Sequence, residues 1–295
     1  MSGALVRPMR EDDLEACERL SSRAFLELDQ RTYQRDWPEP TERPESRSQD
    51  WVRRSAHLLG TDAAGCWAAE VDGRIVGFAT SLRRETLWVL ASFAVRPGLQ
   101  GRGIGRELLA AASQHSRGCL RGMLNASQDQ QALRRYRLAG FDTLPQVVLW
   151  GRVDRGLIPV VDRVRDGGAA DYDLMDSLDR RARGAAHGPD HEVLASQFHL
   201  LVLDHNTGQG YAWVDAKGGV ACLAADNRRT AQRLMWAALA GSDPDVPVEV
   251  AHVSPANQWA MEVATAARLE IHPRGFLALR GMKDPMPYIP HSTLL

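Results

Sequence analysis

The sequence predicts an α/β protein made of two tandem copies of one layer, each a mixed, mostly antiparallel sheet flanked by helices. Three observations lead there. Strand-like and helix-like segments alternate along the chain, the mark of an α/β layer. The same order of segments returns at a period near half the chain, as tandem duplication produces. The 295 residues exceed one average domain and suit two, here residues 1–152 and 153–295.

The first copy opens with a short strand at residues 5–7. Pro8 and the acidic turn Glu11-Asp12-Asp13 start a helix that runs to about residue 28, where Leu14, Cys17, Leu20, Ala24 and Leu28 recur at helical spacing. Residues 37–50, with prolines among Glu, Arg and Ser, read as a loop. Residues 66–71 and 74–82 flank Asp72-Gly73, a strong hairpin signal. Residues 87–95 are continuously apolar, as a buried strand would be. A glycine-rich stretch at 98–105 precedes a helix at 106–115, a strand at 122–125 and a helix at 129–138 that stops at Gly140. A last strand occupies 147–153.

In the second copy a helix at 171–182 leads to a hairpin of 198–204 and 210–215 around Asn206-Thr207-Gly208. Then come a strand at 220–223, a helix at 228–240, a strand at 248–253, a helix at 258–268 and a strand at 276–280. Residues 151–170 join the copies.

The bulk composition narrows the function. A content of 44% hydrophobic and 25% charged residues lets both halves bury a core. A formal net charge of −1 steers the chain toward neither nucleic acid nor an anionic membrane. Cys17, Cys66, Cys119 and Cys222 are isolated, so no metal site and no disulfide framework is expected. The N-terminus lacks the apolar core of a signal peptide, and no apolar run reaches the ~20 residues of a membrane span. A soluble, cytoplasmic protein is the expectation.

The chemistry concentrates in Phe93-Ala94-Val95-Arg96-Pro97-Gly98-Leu99-Gln100-Gly101-Arg102-Gly103-Ile104-Gly105-Arg106. A strand ends, glycines follow, and a helix starts. Glycines let backbone amides approach an anion, and the helix N-terminus adds unpaired N–H groups and a favourable dipole. This is a pyrophosphate cradle on physical grounds. A dinucleotide fingerprint beginning at Gly101 would need a small residue where Arg106 stands, and no acidic ribose partner follows. A nucleotide P-loop would need Gly-Lys-Ser/Thr. The pattern Gln/Arg-x-x-Gly-x-Gly/Ala is met by Gln100, Gly103 and Gly105.

With the downstream signature Ala132-x-x-x-Tyr136-x-x-x-Gly140-Phe141, the first 150 residues or so resemble the GNAT superfamily of acyl-CoA N-acyltransferases. The resemblance implies that the strand at 87–95 splays from its neighbour. Backbone groups of Phe93 and Val95 would then pair with the pantetheine arm of acetyl-CoA, the acyl donor. Amides from Gln100, Gly101, Arg102, Gly103, Ile104 and Gly105 would hold the pyrophosphate, with Arg102 or Arg106 reaching its oxygens. It implies Tyr136 as general acid to the departing thiolate, a phenol of suitable basicity. A glutamate that relatives carry on the strand is replaced by Val89, and Glu85 reads better as a surface residue. The proline-rich tail resembles those of multi-domain relatives whose terminal carboxylate enters the site, which would bring Leu295 or His291 beside Tyr136.

The second copy lacks these features. Residues 223–231 contain no glycine, and Asp226 would repel a phosphate. Asn257-Gln258-Trp259-Ala260 keeps the helix opening, yet Ala264 stands at the tyrosine position and Arg268-Leu269 at Gly-Phe. It reads as a degenerate, non-catalytic copy. Tandem mycothiol synthases resemble the chain in architecture only, since there the C-terminal copy works. The expected activity is transfer of acetyl to a primary amine, a small molecule before a protein N-terminus or lysine, by a monomer or homodimer. An acyl-CoA-binding sensor without turnover is the other reading.

Overall fold

The computed structural model describes residues 3–34 and 39–295. In chain order the elements are β1 (Leu5–Pro8), α1 (Leu14–Thr32), α2 (Glu45–Thr61), β2 (Cys66–Val71), β3 (Arg74–Arg84), β4 (Leu87–Val95), α3 (Ile104–Ser113), β5 (Arg121–Ala126), α4 (Gln130–Leu138) and β6 (Asp142–Gly151). There follow β7 (Arg165–Asp166), α5 (Tyr172–Ala182), α6 (Asp190–Ala195), β8 (His199–His205), β9 (Gly208–Val214), β10 (Val220–Ala225), α7 (Arg228–Ala240), β11 (Val248–Val253), α8 (Gln258–Ala266), β12 (Glu270–Arg280) and β13 (Tyr288–Ile289). No described helix is long and apolar enough to cross a membrane.

Two sheets result. One is ordered β1-β2-β3-β4-β5-β12-β6-β11 and is antiparallel except at β4 and β5; the other is β13-β10-β9-β8-β7. Helices cover both faces of the first. On one face α1 and α2 bury Cys17, Trp51 and Leu58 with Val89 and Met123. On the other, α3 and α4 bury Leu108 and Tyr136 with Trp88 and Leu124. Side chains alternate across a strand, so adjacent residues of β4 and β5 serve opposite cores.

The first sheet takes strands from both halves of the sequence. β12 lies between β5 and β6, pairing Leu277 with Asn125 and with Leu144. β6 in turn pairs with β11, Val250 opposite Leu149. The boundary at 152/153 thus falls after a strand already inserted between two strands of the second segment.

Two expectations are corrected. Residues 45–50 of the predicted loop belong to α2, which Pro44 precedes in extended conformation as N-cap. Proline marks the start of this helix rather than a loop, because its missing N–H costs nothing there. Residues 37 and 38 of that loop lie outside the described residues. The final strand of the first half starts at Asp142, not 147, despite Pro145. The β11 pairing stops at Val147, so Pro145 lies where β6 is an edge, the position that tolerates proline.

The second half follows the predicted order but adds α6, β7 and β13. A clamp joins it to the first half. Asp190, fully buried at the start of α6, accepts 2.8 Å from His57 Nε2 of α2 and also pairs with the guanidinium of Arg84. Arg84 Nη1 reaches Asp62 at 2.8 Å as well.

Candidate active site

The splay expected of β4 is present. β4 and β5 pair in parallel only over Leu87–Val89 against Arg121–Met123. On its other side β4 stays paired to β3, with a bulge at Ala91 where the register shifts. A wedge therefore opens between the ends of β4 and β5.

The edge of β4 facing that wedge can be assigned. Arg96 N donates to Val76 O at 2.8 Å, so residues 96 and 76 form a hydrogen-bonded pair. Bonded and non-bonded pairs alternate along an antiparallel ladder. With Val95 opposite Gly77 and Phe93 opposite Ala79, the main-chain groups of Phe93 and Val95 point away from β3, into the wedge. Gln100 reaches this edge, its Nε2 donating to Val95 O at 3.4 Å.

At the mouth of the wedge the chain turns through Gly98, Gly101 and Gly103 into α3. Gly103 is the N-cap of α3 with φ +94, a left-handed conformation that disfavours side chains. A methyl there would meet nothing closer than 3.9 Å, so the space in front is open. Gly105 is different: a methyl would lie 3.2 Å from the Phe93 ring and 3.4 Å from Val95. Its absence lets the start of α3 close onto β4. The first amides of α3, Ile104 and Gly105, have no intrahelical acceptor and can take an anion. Arg102 and Arg106 are exposed beside them. Arg135 of α4 was not read from the sequence; its Nε lies 3.7 Å from the built Gly105 methyl position. Its signal was its place one residue before Tyr136.

Tyr136 projects from α4 into the core it shares with Trp88, Leu90 and Leu124, on the face of the sheet carrying α3. Asp129 caps this helix, its side chain accepting 2.8 Å from Ala132 N. Among the described residues no group hydrogen-bonds the Tyr136 hydroxyl. Burial, with Asp129 adding to it, pushes the phenol's pKa above its usual range and keeps it protonated at neutral pH. Gly140 and Phe141 serve packing: the Phe141 ring would touch a methyl at Gly122 of β5 at 3.0 Å, which only glycine avoids.

The tail lies elsewhere than predicted. Leu295 is fully buried in the core on the α1/α2 side, separate from the cluster holding Tyr136. An oxygen of Leu295 accepts from the buried guanidinium of Arg183, which also donates 3.2 Å to Leu294 O. A buried guanidinium holds this end of the chain because it satisfies several main-chain oxygens at once. His291 is buried too, its Nδ1 accepting 3.1 Å from Leu294 N; burial, with Arg54 nearby, lowers its pKa and leaves it neutral. The tail does approach the wedge, since Asn125 Nδ2 of β5 donates to His291 O at 3.2 Å and to Ser292 O at 3.3 Å. Val89 is buried where relatives carry a glutamate, and exposed Glu85 is bound to Arg180 at 2.7 Å, away from the wedge.

In the second half the corresponding strand edge is filled. β13 pairs antiparallel with β10, Ile289 opposite Leu223 and Tyr288 opposite Ala224. This is the edge equivalent to Phe93 and Val95. Only Asp226 and Asn227 separate β10 from α7, and the Asn227 side chain itself accepts from Thr230 N at 2.9 Å. Asp179, His187 and His191 are the described residues of metal-ligand type with ligand atoms within 4.8 Å of one another. They form a buried network in which Asp179 accepts 2.7 Å from His187 Nδ1 and 2.6 Å from the Tyr211 hydroxyl.

Residues 23–141 match the family model of the acetyltransferase (GNAT) family. The whole chain resembles a candidate acetyltransferase from Pyrococcus horikoshii, at 18% identity and a TM-score of 0.76, covering 100% of this chain and 96% of that one. A GCN5-related N-acetyltransferase from Sphaerobacter thermophilus aligns over 99% of both chains at 17% identity and a TM-score of 0.62. One from Kribbella flavida covers 94% of this chain and 70% of its own, at 16% identity and 0.59. At such identities these likenesses speak to fold alone. No curated protein sequence gives a significant match. The splayed β4 and the glycine turn into α3 both lie within residues 23–141, the stretch that matches the acetyltransferase (GNAT) family.

Proposed function

We propose that the chain transfers an acetyl group from acetyl-CoA to a primary amine of a small molecule, at the wedge of the first half. The observation that carries this reading is the free edge of Phe93 and Val95 leading into the turn at Gly101–Gly105. Pantetheine would add to that edge as a peptide adds to a sheet. The pyrophosphate would meet the amides of Gly101 to Gly105, with Arg102, Arg106 and Arg135 near. The thioester would then lie between β4 and β5, within reach of Tyr136.

In the reaction the amine nitrogen attacks the thioester carbon, and the C–S bond breaks as the tetrahedral intermediate collapses. The departing thiolate takes the Tyr136 proton, and the ammonium formed gives a proton to water, from which the phenol is restored. The phenol enters each cycle protonated, while its burial makes it a weaker acid than a free phenol. Leu295, held by Arg183 in another core, takes no part.

A protein that binds acyl-CoA without turnover is favoured by one feature, the valine at position 89. Release of free thiol from acetyl-CoA over a panel of amines decides between them. Amine-dependent thiol release, reduced in Tyr136→Phe, supports transfer. Acetyl-CoA binding with no thiol release from any amine would replace it with the sensor.

A further inference from the structure

We propose that Arg54 binds the carboxylate of the acceptor, so that the amines acetylated at this site are amino-acid-like. This rests on the transfer reading above and names its substrate class.

A narrow cleft of about 10 Å³, room for a single water, lies on the α1/α2 face of the sheet, beside the β4 bulge. Trp51 and Arg54 of α2, Ala91 and Ser92 of β4, and Thr293 of the tail line it. Ser92 immediately precedes the Phe93 edge that opens into the wedge, so the cleft adjoins the expected path of the thioester from the acceptor side.

The Arg54 guanidinium is incompletely satisfied. Its Nε is buried with no hydrogen-bond partner. Its Nη1 donates 2.5 Å to Gln197 Oε1, a neutral amide. Among the described residues no carboxylate forms an ion pair with it. Other sequestered arginines are treated differently. Arg7 pairs with Asp13 and Glu70, Arg43 with Glu18, and Arg84 with Asp62 and Asp190. Arg183 donates to the carbonyls of Ala185, Ala186 and Leu294.

Leaving a buried cation unpaired is costly, and the cost shows in the group itself. Burial lowers its pKa to about 10; only Asp50 opposes, while Arg47, Arg43 and Arg53 push the same way. The charge and the free Nε–H are complementary to a carboxylate, which guanidinium binds through parallel hydrogen bonds. A carboxylate held by Arg54 would lie beside Ala91 and Ser92 of β4.

The test uses the full chain saturated with CoA. Amino acids and their matched carboxamides are titrated into it by calorimetry, and the same pairs are assayed for acetyl transfer. Wild type should bind the acids roughly ten-fold or more tightly than the amides. Arg54→Gln should erase the preference by raising KM for the acids to that for the amides. Arg54→Lys, which keeps a point charge, should restore part of it. Thermal unfolding checks that both variants fold. Equal use of acids and amides by wild type would overturn the assignment while leaving acetyl transfer standing. Failure of every acid to bind would also overturn it. Acid-selective binding without transfer would support the Arg54 site and remove the transferase reading.

Discussion

Ile289 pairs with Leu223 in antiparallel register, on the edge of β10 equivalent to the one Phe93 and Val95 present in the first half. The chain thus fills with its own backbone, in the second half, the place that the first half leaves open. β13 satisfies the edge of β10 and buries Ile289 completely in the second core. Ile289→Ala should therefore cost about 2–5 kcal/mol of stability, read as a lower urea midpoint at unchanged slope. A loss well under 1 kcal/mol would show that β13 only rests on the sheet.

Tyr136→Phe tests the acid. Because no described group bonds the hydroxyl, the variant should keep the unfolding temperature of the wild type. Its kcat should fall about 100-fold or more, with affinity for acetyl-CoA nearly unchanged. Measuring kcat and KM together checks this; an unchanged kcat would remove Tyr136 from the chemistry.

Asp190 makes stability depend on acid. Burial alone would raise its pKa, but the hydrogen bonds from His57 and Arg84 outweigh that and lower it to about 2. A carboxylate depressed in the folded state contributes stability above its unfolded pKa and loses it as pH falls through the folded one. The contribution is roughly 2 kcal/mol at neutral pH, fading from about pH 4 and gone near 2. Asp190→Asn should lower stability at pH 7, and urea unfolding between pH 7 and 3 should show the gap to wild type narrowing. A constant gap would contradict the assignment.

Elements whose signals are local were legible in the sequence. Residues 87–95 and 228–240 begin and end where continuous apolarity and helical spacing place them. The glycine turn was legible for the same reason, since its conformations need glycine whatever surrounds them. What escaped depends on distant partners. Nothing local tells β12 to lie between β5 and β6. The six residues of α6 are too short to show a period. In α2, prolines and charges upstream hid the stripe of Trp51, Ser55 and Leu58. Leu295 and Arg183 meet across the fold, so the tail's position could not follow from its composition. Arg54 carries no local signal, because α2 and the tail residue Thr293 meet around it only in the fold.

The central claim is a single CoA site in the first half, and a calorimetric titration of acetyl-CoA into wild type and Gly103→Glu tests it most directly. The glutamate would enter the open space before α3 and oppose the pyrophosphate. The account predicts one acetyl-CoA bound per wild-type chain and none measurable in a variant that still unfolds cooperatively. Equal binding by both proteins, or two molecules per chain, would contradict it.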